Sequence, residues 1–307
     1  MFEALNLKQI AKEPIHIPKQ RIASNSVVNF FARKLISEPL ERKIGLNPDV
    51  KVTHFAYFTE GSNRFQPDNY TQAMLFHADS DRAVIILPQR SRGYEFAQLT
   101  AHYLASNGIN GIVFSPPLRG SRLPHDIKDI KELPLVPAEI ISLLNQTVGE
   151  VKGLASHFYE QFPYMGVCGF SQGGFSASLT YGTDTNFKAA ATVLSGGNLA
   201  SILYHSNDGL ALKLQEHFRD ENITEAELRE TLKFVEPCLY TNNKKDGILI
   251  INSTNDSAVP SIYGQELADA WDTLEYLEIP GDHKRTVLKQ IPSVMEELYE
   301  HFKLNLK

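Results

Sequence analysis

Residues 164–174 read Tyr164-Met165-Gly166-Val167-Cys168-Gly169-Phe170-Ser171-Gln172-Gly173-Gly174, an apolar run that ends in a glycine-rich turn around a serine. The run 164–168 has the length and apolar character of a buried strand. It leads straight into Gly-x-Ser-x-Gly, and the residues from Ser171 to about 181 then read as a helix. Glycine and serine are common enough for the pattern to arise by chance, so the strand before it and the helix after it carry the argument. A sharp strand-to-helix turn strains the serine backbone and brings chain so close that side chains at Gly169 and Gly173 would collide.

On either side of this turn, short apolar runs alternate with amphipathic segments, the signature of βαβ units around a parallel sheet. Upstream, 83–87 is a strand, 94–106 a helix ended by Asn107-Gly108, and 111–114 a strand stopped by Pro116-Pro117. A helix over about 137–161 carries Ile141, Leu144, Val148, Val151, Leu154 and Phe158 at steps of three or four. Downstream, 189–194, 248–251 and 274–279 read as strands, 263–271 as a helix and 285–304 as a terminal helix. Residues 50–58 and 72–76 look like an antiparallel entry to the sheet.

This predicts an α/β fold with a mostly parallel sheet of about eight strands flanked by helices. Val27, Phe30, Phe31, Leu35 and Ile36 predict a helix over 21–46, so 1–49 is expected to be a helical extension and 50–307 the main domain. Residues 197–246 hold helix-like patterns without a strand. They are expected to form a helical insertion, a cap over the C-terminal edge of the sheet where open α/β folds bind ligands.

The 307 residues, 42% hydrophobic and 21% charged, are enough for one large α/β core. A net charge of -6 argues against a surface built to track phosphates, so nucleic acid is not an expected partner. Two cysteines, Cys168 and Cys238, lie outside any C-x-x-C or Cys/His cluster, so neither a disulfide framework nor a metal site is indicated. Residues 1–20 interleave charges with apolar positions and lack a leader's apolar core. No stretch approaches the roughly 18 apolar residues of a membrane span, and a cytoplasmic protein without a transmembrane segment is the expectation.

A serine hydroxyl needs a base to take its proton and a group to orient that base. Of the ten histidines, His283 in Pro280-Gly281-Asp282-His283 falls in a loop after the last predicted strand. His301 falls within the terminal helix and is read as a surface residue. Asp256, in the polar loop that follows 248–251, is placed to accept the Nδ1 proton of His283; the alternative makes it a turn or helix N-cap residue. Asp282 adjoins His283 too closely to face it well. Ser195 is set aside because Leu194-Ser195-Gly196-Gly197 leads into the insertion, and Cys168 is read as a small core residue.

These motifs resemble the α/β-hydrolase superfamily, over most of the chain from about residue 50 onward. The elbow GFSQGG, the acid loop NDSAVP and the GDH loop are similar to those of acyl-protein thioesterases and small carboxylesterases. The loop Ser115-Pro116-Pro117-Leu118-Arg119-Gly120-Ser121-Arg122-Leu123-Pro124 resembles the alpha/beta-hydrolase-domain-containing protein 18 family. The resemblance implies the α/β-hydrolase fold and the chain order Ser171, Asp256, His283 of a catalytic triad. The implied activity is a serine hydrolase cleaving a carboxylic ester or thioester of a small-molecule acyl substrate, without metal or organic cofactor.

Many members carry His-Gly after the strand that supplies half of the oxyanion hole, where this chain has Leu87-Pro88-Gln89-Arg90-Ser91-Arg92-Gly93. The Gln172 N–H is one expected oxyanion donor, and either Gln89 or Arg90 the second, since Pro88 has no N–H. Arg90, Arg92, Arg119 and Arg122 read most simply as solvated loop residues, with anion recognition as the alternative. Tyr204, His205, Phe218 and Phe234 either line the pocket or pack the insertion, and packing is the simpler reading. Two other functions fit the same fold: a peptidase or amidase, and a binding protein that needs no intact triad. No pattern in the sequence specifies an oligomeric state.

Overall fold

Four β-strands rich in valine, isoleucine and alanine, RAVIIL, NGIVF, FKAAATV and ILIINS, cannot expose either face to water, and the chain sets them in one sheet under helices on both faces. The computed structural model describes residues 21–22, 45–58, 70–90, 94–119, 122–241, 247–283 and 285–307. The strands in chain order are β1 (Arg21–Ile22), β2 (Val52–Phe58), β3 (Tyr70–Phe76), β4 (Arg82–Leu87), β5 (Asn110–Phe114), β6 (Tyr164–Phe170), β7 (Phe187–Val193), β8 (Ile248–Ser253) and β9 (Tyr276–Ile279). They form one nine-stranded sheet in the order β1-β2-β3-β5-β4-β6-β7-β8-β9. The pairs from β1 to β5 across β2 and β3 are antiparallel, and those from β5 to β9 are parallel.

The helices are α1 (Glu95–Ser106), α2 (Pro137–Phe158), α3 (Gln172–Thr183), α4 (Leu199–His205), α5 (Gly209–Asp220), α6 (Glu225–Leu232), α7 (Ser261–Trp271) and α8 (Arg285–Asn305). Side chains alternate faces along each strand. Val84 and Ile86 of β4 pack with Leu104 of α1 and with Leu298 and Phe302 of α8, whereas Ala83, Ile85 and Leu87 pack with Val151 of α2, Tyr181 of α3 and Trp271 of α7. A third apolar cluster joins the start of α2 and Phe175 of α3 to Leu199, Ile202, Leu214 and Leu228 of α4, α5 and α6. Helices therefore occupy the interval after β7.

Because β5 lies on one side of β4 and β6 on the other, the chain reverses its direction across the sheet between these strands. Loops diverge at such a switch point and leave a crevice at the carboxyl ends of β4 and β6. The β6–α3 turn closes on this crevice very tightly. A Cβ on Gly169 would lie 2.1 Å from the Gly173 carbonyl oxygen, and one on Gly173 would lie 2.5 Å from the Leu87 carbonyl oxygen at the end of β4.

The loop after β5 is fixed to α2 by an ion pair shut away from water. Arg122 and Glu150, with side chains 1% and 3% exposed, meet through two bonds of 2.7 Å, a paired-fork geometry. Glu150 also accepts from Gln146 Nε2 at 2.8 Å and Thr71 Oγ1 at 3.3 Å, and Arg122 Nη1 donates to the Ser115 carbonyl at 2.8 Å. Arg122 is thus a buried structural cation, contrary to its reading as a solvated loop residue: a partner on α2 compensates its desolvation, and that pairing has no local sequence signature.

Two corrections concern element boundaries. Arg21–Ile22 opens no helix: it pairs with Thr53 and His54 as an edge strand, adding a ninth strand to the eight expected, because the helical spacing starts only at Val27; residues 23–44 lie outside the described residues. The last strand begins at Tyr276, and Leu274 is fully exposed ahead of it.

Gly173→Ala should lower stability by about 1–3 kcal/mol or more, since the added carbon meets backbone rather than a yielding side chain. Gly209→Ala, whose added carbon meets nothing within 4 Å, is the control. Equal midpoints for the two variants in urea unfolding would contradict the packing described. Glu150→Ala should cost about 3–5 kcal/mol by stranding Arg122, and Glu150→Ala with Arg122→Met should recover part of that loss in the same titration.

Candidate active site

Ser171 stands between β6 and α3 with φ 51° and ψ −117°, a conformation that strains a residue bearing a side chain. Its amide donates to the Val193 carbonyl at 2.7 Å, and its own carbonyl accepts from the Gly174 amide at 2.8 Å, so the turn is pinned on both sides. The glycines at 169 and 173 supply the clearance that this turn requires. Ser195 lies fully buried behind it against Gly174, out of the crevice.

His283 and Asp256 come from the two loops that follow β9 and β8, and backbone bonds stitch these loops together. Thr254 N donates to the Ile279 carbonyl at 3.1 Å and Asn255 N to the Gly281 carbonyl at 2.9 Å; Ser253 Oγ also donates to the Gly281 carbonyl. Gly281 has φ 140°, a region that excludes most side chains. The result is a continuous line: Ser171 Oγ to His283 Nε2 at 2.9 Å, and His283 Nδ1 to Asp256 Oδ2 at 2.6 Å. Asp256 is shut off from water, and its other oxygen accepts from the Ala258 and Val259 amides at 2.8 Å each. Those two bonds fix the carboxylate plane, so Asp256 both shapes its turn and meets His283 Nδ1.

A cavity of about 710 Å³ opens beside Ser171 and His283. Its apolar wall comes from Ile140 and Leu144 of α2, Phe175 of α3, Ile202 and Leu203 of α4 and Leu210 of α5. Gln172 and Arg90 also line it, whereas Gln89 does not, and the Gln89 carboxamide oxygen is buried without a hydrogen-bond partner among the described residues. Asp282 lines the cavity beside His283.

Arg90 is not a free loop cation. It forms a two-pronged pair with Asp208, both contacts at 2.5 Å, and Asp208 caps α5 by accepting from Leu210 N at 3.0 Å. Burial pushes the Asp208 carboxyl up, but the Arg90 bond and charge outweigh it and hold the carboxyl below the usual range. The pair ties the loop after β4 to the helices after β7. Nothing in the sequence signals it, because its members are 118 positions apart. Arg119 likewise departs from its solvated reading, donating from Nη2 to Gln172 Oε1 at 3.0 Å. Arg92 lies outside the described residues.

Tyr204 stacks on Phe218 with ring centroids 5.9 Å apart, His205 pairs with Glu225 at 2.9 Å, and Phe234 is exposed; none lines the cavity. Burial pushes the Cys168 thiol far up and the Cys238 thiol up to about 12, away from thiolate chemistry. His301 is buried rather than on the surface, paired with Glu275 and edge-on to Phe302. Its spacing of three and seven from Leu298 and Val294 marks the inner face of α8, a signal that the chain itself carries. Among the described residues, no helix is long and apolar enough to cross a membrane, and no group of three or more His, Cys, Asp or Glu is arranged to hold a metal ion.

No protein-family model matches the sequence, and no curated protein sequence is detectably similar to it. Solved structures are similar in fold. An esterase of Pyrococcus furiosus superposes with a TM-score of 0.55 at 17% identity, covering 87% of this chain and 96% of that one. An alpha/beta hydrolase from a Penicillium species gives 0.58 at 14% identity over 84% and 99%. An acylaminoacyl peptidase of Pyrococcus horikoshii gives 0.61 at 15% identity, over 88% of this chain and 43% of that one. With its sheet order, its helices on both faces and these superpositions, the chain has the α/β-hydrolase fold.

Proposed function

We propose that this protein is a serine hydrolase that cleaves a carboxylic ester or thioester through an acyl-enzyme on Ser171. The observation that carries the reading is the line of hydrogen bonds from Ser171 Oγ through His283 to the buried Asp256, set at the edge of a cavity large enough for an organic substrate. Each bond has a chemical task. His283 Nε2 takes the serine proton as Oγ attacks the carbonyl, then delivers it to the departing alcohol or thiol. Asp256 fixes the tautomer that leaves Nε2 free to accept and stabilises the imidazolium. Water then repeats the sequence on the acyl-enzyme.

The carbonyl oxygen becomes an anion in this step. Gln172 N–H, at the start of α3, is one donor to it, reinforced by the positive end of the helix. A second comes from the loop after β4, where Arg90 rather than Gln89 lines the cavity. Each such donor is worth on the order of 3 kcal/mol where one has been removed. Helices α4, α5 and α6 act as the cap: α4 and α5 supply part of the apolar wall and Asp208 anchors it to Arg90. That wall fits an aliphatic acyl or alkyl chain, and the protein is assigned to the cytoplasm on its sequence character. Amide cleavage on the same machinery, and a non-catalytic binding role, are the outcomes that would displace this reading.

Ser171→Ala and His283→Ala should each reduce p-nitrophenyl ester hydrolysis by about 10⁴-fold or more, with the double variant little worse than either single change, because the residues act as a unit. Multiplying losses, or turnover confined to p-nitroanilides, would count against it. From acetate towards octanoate esters, kcat/KM should rise by up to about fourfold per methylene until the cavity is filled, since each buried methylene contributes about 0.8 kcal/mol. Leu144→Trp should move the optimum to shorter chains; a flat profile would show that the apolar wall does not hold the acyl group.

A further inference from the structure

Residues 115–119, after β5, run beside the nucleophile turn and make several bonds to the rest of the fold. Ser115 Oγ shares a hydrogen bond with Tyr94 Oη at 2.6 Å, and the Ser115 carbonyl accepts from buried Arg122. The Arg122 amide closes the turn on the Arg119 carbonyl at 2.8 Å. Between them Leu118 is buried with φ 54°, a left-handed conformation that costs roughly 1–2 kcal/mol for a residue with a side chain. Next to buried Leu118, Arg119 Nη2 donates to Gln172 Oε1 at 3.0 Å.

The charge balance around Arg119 is unusual. Among the described residues no carboxylate reaches ion-pair distance of its guanidinium, whereas the neighbouring Arg90 and Arg122 each have one. Loss of water draws its pKa down to about 9, Tyr94 and Asp129 oppose that loss, and Arg90 adds to it; the group stays charged at neutral pH. A cation kept partly from water with no carboxylate at ion-pair distance costs free energy. Arg119 does not line the cavity, but the residue it holds does. A negative charge that exists only during the reaction, the oxyanion beside the Gln172 amide, is the natural complement.

We propose that Arg119 is a positioning residue for acyl transfer: its bond to the Gln172 side chain holds the first residue of α3 so that the Gln172 N–H faces the developing oxyanion, and its fixed charge stands behind that donor. The proposal rests on the serine-hydrolase reading above. Gln172 would otherwise sample several side-chain rotamers at the cavity wall, and with them small rotations of the peptide at the helix start. The Arg119 carbonyl accepts from the Arg122 amide, and Arg122 is paired with Glu150 on α2, so the backbone that carries Arg119 is tied to the core independently of substrate. An interaction that strengthens only as the oxyanion forms raises kcat and leaves substrate binding alone.

The test compares wild type, Arg119→Met, Arg119→Lys, Gln172→Ala and the Arg119→Met/Gln172→Ala double variant on p-nitrophenyl butyrate, with inhibition by an alkyl trifluoromethyl ketone that forms a tetrahedral adduct on the serine. Arg119→Met should lose about 10- to 100-fold in kcat, part of what a missing oxyanion donor costs, with KM within twofold. Affinity for the ketone should fall by the same factor as kcat/KM. Arg119→Lys should recover most of the loss, and the double variant should be no worse than Arg119→Met. If Arg119→Met does not fold, Gln172→Ala, which suits a helix start, should show about a tenfold loss with the same kcat-only signature.

A kcat within twofold of wild type, a loss carried by KM, or losses that multiply in the double variant would overturn the proposal. Wild type that turns over the ester and reacts with a fluorophosphonate while Arg119→Met is unchanged overturns this proposal alone. Wild type that does neither overturns the hydrolase reading and this proposal with it.

Discussion

Everything at the candidate site depends on how closely the turn between β6 and α3 approaches the end of β4. Within this turn Ser171 adopts a positive φ, and two glycines give the backbone room that any Cβ would fill. Strain of this kind persists only when the surroundings over-determine it. Here they do so through the Val193 carbonyl, the Gly174 amide and a sheet whose central strands are buried on both faces. The turn sets Ser171 and Gln172, the first residue of α3, at the wall of the cavity.

The sheet order supplies the rest. Reversing direction between β5 and β6 places the loops after β4 and β6 side by side, and the parallel neighbours β8 and β9 bring the acid and histidine loops to the same edge. Four loops distant in sequence thus converge without any of them being long. The bonds between 253–255 and 279–281 then set the spacing from Asp256 to His283, and the Arg90–Asp208 pair holds the helices after β7 to the loop after β4.

What was legible in the sequence follows from the range of the forces involved. The elbow, the alternation of strand and helix, and the polar loops carrying Asp256 and His283 are local patterns, and each is where its pattern places it. Arg122, Arg119 and Arg90 were misread because a basic loop residue looks the same whether it is solvated or joined to Glu150, Gln172 or Asp208, and those partners are 28, 53 and 118 positions away. His301 is a different kind of miss, since its spacing along α8 did mark the inner face. The two-residue strand β1 is too short for any periodicity. The choice between Gln89 and Arg90 depends on the direction of one amide, which no side-chain pattern encodes.

The central claim is that Ser171 is an activated nucleophile. The most direct measurement is mass-spectrometric mapping of the adduct after the purified protein is treated with a fluorophosphonate. A single phosphonylated residue, Ser171, is expected, with labelling lost in His283→Ala although Ser171 is still present. Modification at another residue, or none on folded wild-type protein, would contradict it.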